Sequence, residues 1–220
     1  MQVEQKKRLI FVPDKTAEGL VNEVPFVIPC EPGQFYGPKR RNISTLHKAA
    51  ELEGYAPILE VSRNSVDKLG RELSAFNLMI QIPGVGVRRV ECAYQGSKVY
   101  QDGGAFTDLY DVKPRLAKQD LRHKQSGDLV GYRFNGFDFP TSPKSVFYDW
   151  LYINAILPRR QDLETEFDKY AGFSDIAFGS NSIACQARSC ALFVSLVRMN
   201  LLDEAVQSPE AFIETIRRYS

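Results

Sequence analysis

Histidine is scarce in this 220-residue sequence, which contains only His47 and His123. Its four cysteines, Cys30, Cys92, Cys185 and Cys190, include no C-x-x-C pair. Together these shortages argue against a structural zinc site, which draws on clustered Cys and His. A chain of this size with no export signal does not call for a disulfide framework, so four buried free thiols are expected. Long apolar runs are also missing. Nothing approaches the ~20 residues of a membrane span, and the apolar part of MQVEQKKRLIFVP is too short for the core of a signal peptide. The expected location is cytoplasmic, with no membrane partner. Excess charge of either sign is lacking as well: 28 Lys and Arg face 27 Asp and Glu, a net charge of +1. Global electrostatics therefore make no case for nucleic acid, although a local basic patch is compatible with that balance.

The composition is otherwise that of an ordinary globular chain, 44% hydrophobic, which is ample for a core. Residues 9–12 (LIFV) and 24–28 (VPFVI) are short apolar runs bounded by prolines and polar residues, and they predict strands. Residues 29–42 hold three prolines and two glycines and predict an irregular loop. That loop carries the cluster Lys39, Arg40 and Arg41, either a solvated basic surface or a phosphate contact. Ser44 is placed to cap a helix running to Leu52, with Gly54 as its stop. A strand is expected at 58–61 and a short helix from Ser65 with Val66, Leu69 and Leu73 on one face. Residues 114–124 predict a charged, solvent-facing helix, and 129–134 a strand leading into the Asn135-Gly136 turn. Residues 145–157 are apolar nearly all round and predict a buried central helix, in which Trp150 is either core or a ligand platform. A polar helix follows at 160–170, then a turn-rich loop at 172–182 containing Asp175, and a second buried helix at 183–199. Ser208-Pro209-Glu210 opens a final helix with a cap, a first-turn proline and a first-turn acid. The mixture predicts an α+β fold in which helices predominate over short strands.

The stretch carrying most chemistry is VECAYQGSKVY, residues 90–100. On a helix turning about 100° per residue, Glu91 and Lys98 return to one face with Gln95 between them. An acid, an amide and an amine on one wall form the polar set of a small hydrolytic site. A solvated surface helix would carry the same residues. The small or apolar neighbours Cys92, Ala93 and Val99 favour burial instead. Gly96, costing about 1 kcal/mol against Ala in a helix, predicts a close approach by backbone or ligand. Arg88 and Arg89, just before this helix, form a second candidate patch for nucleic acid. The loop QDGGAFTDLYD adds Asp108 to the candidate binding residues.

LSAFN at 73–77 followed by E-x-x-x-Q-x-x-K at 91–98 resembles the NADAR (YbiA-like) family, with Tyr94 in the aromatic place before Gln95. YQGSKVYQDGGAFTDLYD, FYDWLYIN at 147–154 and the Gln186 region look most like the DarT-associated NADAR antitoxin branch. The resemblance covers roughly residues 70–200. It implies a NADAR-like catalytic domain over 71–220, with residues 1–70 an N-terminal α/β extension packed on that core. It also implies an N-glycosidase that removes ADP-ribose from guanine in DNA and so neutralises a companion toxin, with no cofactor. Glu91 and Lys98 carry over as catalytic residues and Gln95 with them. Asp175, in SDIAFG, resembles the family's Asp-x-x-Trp-Gly segment. Asn77, Tyr94, Asp108 and Trp150 complete the candidate substrate contacts. Phe178 stands where the family usually has Trp, and QARSCAL replaces its LG-x-x-LM run.

The chemistry expected from these residues starts at the anomeric carbon bound to the guanine amino nitrogen. If the sugar opens to an imine, the Lys98 amine can attack, form a Schiff base and expel the base. Glu91 then serves as the proton shuttle. Direct displacement by water, with Lys98 stabilising charge, is the variant. Two other readings stay open: an N-glycosidase acting on phosphorylated riboflavin-pathway intermediates, and a non-catalytic module that binds ADP-ribosylated DNA or the toxin.

Overall fold

The computed structural model of the chain describes residues 3–14, 19–33, 36–179 and 184–219. The elements are β1 (Glu4–Pro13), β2 (Val21–Cys30), α1 (Tyr36–Leu52), β3 (Ile58–Glu60), α2 (Lys68–Glu72), β4 (Met79–Ile82), β5 (Gly86–Arg89), α3 (Val90–Gly96), β6 (Lys98–Tyr100), β7 (Gly103–Gly104), α4 (Pro114–Gln119), α5 (Arg122–Gln125), β8 (Leu129–Phe134), β9 (Phe137–Phe139), α6 (Val146–Ile156), α7 (Arg160–Phe167), β10 (Gly172–Ser174), α8 (Gln186–Arg198), α9 (Leu202–Ala205) and α10 (Pro209–Arg218). This is an α+β domain. Its first two strands, ten residues each, are longer than the short strands expected.

The main sheet has the order β2-β1-β10-β3. β1 and β2 form a long antiparallel hairpin, β10 pairs antiparallel with β1, and β3 pairs parallel with β10. Strand alternation sorts its side chains between two layers. Ile10, Phe26 and Ile28 pack with Ile43, Leu46 and Ala50 of α1. Phe11, Leu59 and Phe173 face the other way, into the main core with Leu192 and Phe193 of α8. Residues before 70 and after 170 thus share one sheet. β8 and β9 meet through Asn135 and Gly136, both at positive φ (49° and 80°), the backbone a two-residue hairpin turn needs. Helix α6 is buried as expected, and its Phe147 ring stacks on Tyr132 at 4.7 Å. Ser208 caps α10 by accepting from the Ala211 amide at 3.1 Å.

Four expectations are corrected. Helix α1 begins at Tyr36, within the expected loop, because Pro38 lies in its first turn, where a missing N–H costs nothing; residues 34 and 35 lie outside the described set. Residues 172–174 of the expected loop form β10, whose partners β1 and β3 lie far away in sequence; residues 180–182 of that loop lie outside the described set, as does Ile183 at the expected start of α8. The charged helix at 114–124 is two short helices broken at Asp120-Leu121. The fourth concerns the chemistry: α3 stops at Gly96, and Lys98 belongs to strand β6. The Ser97 hydroxyl donates back to the Ala93 carbonyl at 2.8 Å. A Cβ on Gly96 would lie 2.6 Å from the Tyr110 ring, so the close approach foreseen there is made by Tyr110.

Phe173 is fully buried at the junction of the hairpin and the core, with its ring edge-on to Phe167 at 5.0 Å. Truncating Phe173→Ala is expected to cost about 3–5 kcal/mol. Urea denaturation followed by circular dichroism and by tryptophan fluorescence should give one coincident transition, shifted in the variant. Separate transitions for the two probes would mean that the first 70 residues fold on their own.

Candidate active site

Glu91 is oriented by a relay of backbone and amide bonds. Gln186, the first residue of α8, accepts from the Ala75 amide at 2.8 Å and donates to the Val61 carbonyl and, at 3.2 Å, to Asp175. The Ala75 carbonyl in turn accepts from the Glu91 amide at 3.0 Å, while the Leu78 carbonyl accepts from Val90. The segment around LSAFN therefore clamps the first turn of α3, and α8 clamps that segment. One turn on, the Gln95 amide donates to Glu91 Oε1 at 2.9 Å. Both side chains are buried, 5% and 4% exposed. Gln95 Oε1 has no donor among the described residues. Leaving such a buried acceptor without a donor costs about 1–3 kcal/mol.

Glu91 and Gln95 line a cavity of about 240 Å³ together with Tyr94, Tyr148, Asp175 and Gln186. Its mouth carries Lys39, Arg63, Phe76 and Lys118. The Lys118 ammonium lies 3.9 Å from Glu91 Oε1. Asp175 follows β10 directly, and burial pushes its carboxyl up to about 6, against hydrogen bonding from the Ala177 amide and the Lys118 charge. Behind it sits Glu60, fully buried on β3. It accepts from Ser62 at 2.7 Å, Ser174 at 2.6 Å and the Ile176 amide at 3.0 Å. Burial and the neighbouring Asp175 push Glu60 up to about 8. Ser174 also meets His47 of α1 at 2.9 Å, and burial pushes that imidazole down to about 4.

Lys98 stands apart from this lining. From β6 its ammonium reaches the face of Tyr94, 5.0 Å from the ring centroid. Burial pushes the amine down to about 8; Glu91 opposes the shift and Lys118 adds to it. Lys98 and Glu91 thus remain electrostatic neighbours without the shared helix face that the spacing suggested.

The other sequence candidates divide. Tyr94, Gln95, Asp175 and Lys39 meet at the cavity. Asn77 turns away and donates to the Arg71 carbonyl at 2.8 Å. Asp108 is ion-paired with Arg122 at 2.7 Å on the 3₁₀ turn at Thr107–Asp111, outside the cavity. Trp150 packs edge-on against Phe212 at 5.6 Å beside a separate apolar cavity. In the basic clusters, Arg41 is held by Glu31 at 2.6 Å, Arg40 lies over the Tyr36 ring at 4.7 Å, and Arg88 pairs with Asp111 at 2.8 Å. Arg89 donates to the Phe76 carbonyl at 3.0 Å. Sequence reasoning missed Lys118, Phe76, Arg63 and Glu60. Phe76 was legible as the aromatic of LSAFN; Lys118 sits in a charged run with nothing to single it out. Among the described residues no group of His, Cys, Asp and Glu converges to hold a metal ion, and all four cysteines are free and buried.

Glu60 supplies a pH test. Between its ordinary value of 4.5 and about 8, the folded protein keeps a proton that the unfolded chain releases. Unfolding is therefore favoured as pH rises through that window, and the contribution of Glu60 to stability falls. Glu60→Gln removes the titration. Denaturation midpoints measured from pH 5 to 8.5 should decline less steeply for the variant than for wild type; parallel curves would contradict the burial argument.

The family model described as DarT1-associated NADAR antitoxin matches residues 6–220, and the chain belongs to that family. No curated protein matches it.

Proposed function

We propose that this antitoxin-family member is an N-glycosidase that removes ADP-ribose from guanine bases of single-stranded DNA, reversing the modification made by a DarT-type toxin. The observation that carries the reading is the buried, hydrogen-bonded Glu91–Gln95 pair lining a cation-rimmed cavity. A sugar ring seated in that cavity lies against the Glu91–Gln95 pair, and Glu91 is placed to move a proton at the anomeric centre. Lys118 and Lys39 at the mouth oppose the negative charge of the pyrophosphate.

On this reading the sugar opens to an imine between its anomeric carbon and the guanine nitrogen. The Lys98 amine adds to that carbon, Glu91 protonates the departing nitrogen, and the base leaves unmodified. Water then cleaves the lysine Schiff base, giving free ADP-ribose and restoring the amine. Attack requires a neutral amine. A lysine titrating at about 8 is roughly one-tenth neutral at pH 7, whereas an ordinary lysine at ~10.4 is almost wholly charged. The amine moves from the Tyr94 ring into the cavity to react. Lys118 already lines that cavity, and on this reading its role is charge stabilisation beside Glu91.

Borohydride trapping tests the assignment. Incubation with guanine-ADP-ribosylated single-stranded DNA should release ADP-ribose and, with reductant, leave a protein–sugar adduct. The adduct is expected to persist in Lys118→Ala and vanish in Lys98→Ala. Adduct loss in Lys118→Ala alone would transfer the nucleophile to Lys118. Release without any adduct would point to direct attack by water, and no release from the strand would overturn the proposed function.

A further inference from the structure

Beside the cavity mouth lies a second depression of about 520 Å³ that shares Arg63 and Phe76 with it. Arg89, Lys113 and Arg115 line its remaining length, with Asn77 and Asp111. The chain as a whole is nearly neutral, at +1, so four cations in one groove are a local concentration. The state of its charges also matters. Asp111, the one acid in the lining, is taken up by Arg88 at 2.8 Å. No carboxylate among the described residues pairs with Arg63, Arg89, Lys113 or Arg115. Elsewhere on the surface the guanidinium groups are largely engaged: Arg41 with Glu31, Arg122 with Asp108 and Asp120, Arg133 with Asp138.

The ring of Phe76 stands between the two depressions. Its neighbours are Arg63, 4.2 Å from the ring centroid, and Lys118, 5.7 Å away. A nucleotide whose modified part enters the cavity therefore continues past Phe76 into the groove. A cationic track beside an aromatic ring is the physical form of a single-strand binding groove, in which phosphates meet Lys and Arg and an unstacked base can meet an aromatic side chain.

We infer that the groove of Arg63, Arg89, Lys113 and Arg115 binds the phosphodiester backbone of the single strand flanking the nucleotide held in the Glu91 cavity. This rests on the proposed glycosidase reading for what fills the cavity. It departs from the sequence assignment of the nucleic-acid surface, in which Arg40, Arg41 and Arg88 took part; those three already have partners in the fold.

Lys113 and Arg115 are exposed and make no ion pair among the described residues, so the double variant Lys113→Ala with Arg115→Ala should fold as wild type, which a thermal melt checks. Two readouts separate the groove from the chemistry. The first is fluorescence anisotropy of an unmodified, labelled oligothymidylate at several salt concentrations. With about 0.7 of salt slope per phosphate contact on a single strand, losing two contacts should make the log–log slope shallower by roughly 1.4. The second is ADP-ribose release from a modified oligonucleotide against the modified mononucleoside. The variant is expected to lose kcat/KM on the strand, on the order of tenfold at low salt, and to keep wild-type turnover of the mononucleoside. Unchanged slopes would overturn the groove, as would equal losses on strand and mononucleoside, which would place these cations on the ADP-ribose. A wild type that binds the strand with the groove-dependent slope yet releases nothing would leave the groove standing and remove the glycosidase reading.

Discussion

The site depends on one costly arrangement, an acid side chain buried at the start of a short helix with a single amide donor beside it. Removing a carboxyl group from water is unfavourable unless partners replace the water. Here Gln95 supplies one bond and Lys118 stands 3.9 Å off at the rim, while the far oxygen of Gln95 has no donor among the described residues. A fold selected for stability alone would place apolar groups here. The segments packed around α3 hold the two side chains in place.

That placement is non-local. Gln186 at the head of α8 holds Ala75, Ala75 holds Glu91, and Gln186 also reaches Asp175 just past β10. β10 is itself fixed between β1 and β3. The N-terminal hairpin therefore bears on the cavity through the sheet, even though its own side chains are remote from the chemistry. Two buried carboxyls on that side, Glu60 and Asp175, are both pushed up, chiefly by burial. Lys98, packed on the Tyr94 ring, is pushed down to about 8, again chiefly by burial.

What the sequence disclosed follows from which interactions are local. Helix α6 was legible because its apolar character is continuous, and α10 because its cap, proline and acid lie in three consecutive residues. Glu91 with Gln95 was legible as an i, i+4 pair, a relation the helix fixes by itself. Lys98 was assigned correctly to the neighbourhood of Glu91 but for the wrong geometric reason, since the helix closes at Gly96 under the Tyr110 ring. Strand β10 could not be read from residues 172–174, whose structure is set by partners more than a hundred residues away. The same limit hid Lys118. Its meaning comes from the break at Asp120-Leu121 and the docking of α4 against α3, and neither leaves a periodic mark. Trp150 and Asp108 were plausible by residue type, and the packing of each satisfies it elsewhere.

The measurement that bears most directly on the account is the single-turnover rate of ADP-ribose release from guanine-ADP-ribosylated single-stranded DNA, by wild type and by Glu91→Gln. The substitution keeps the size and the hydrogen-bonding reach of the side chain while removing its ability to carry a proton. If Glu91 moves the proton, the variant should melt within a few degrees of wild type and release ADP-ribose about 10²–10⁴-fold more slowly. Release by Glu91→Gln at the wild-type rate would contradict the assignment of the buried Glu91–Gln95 pair as the catalytic centre.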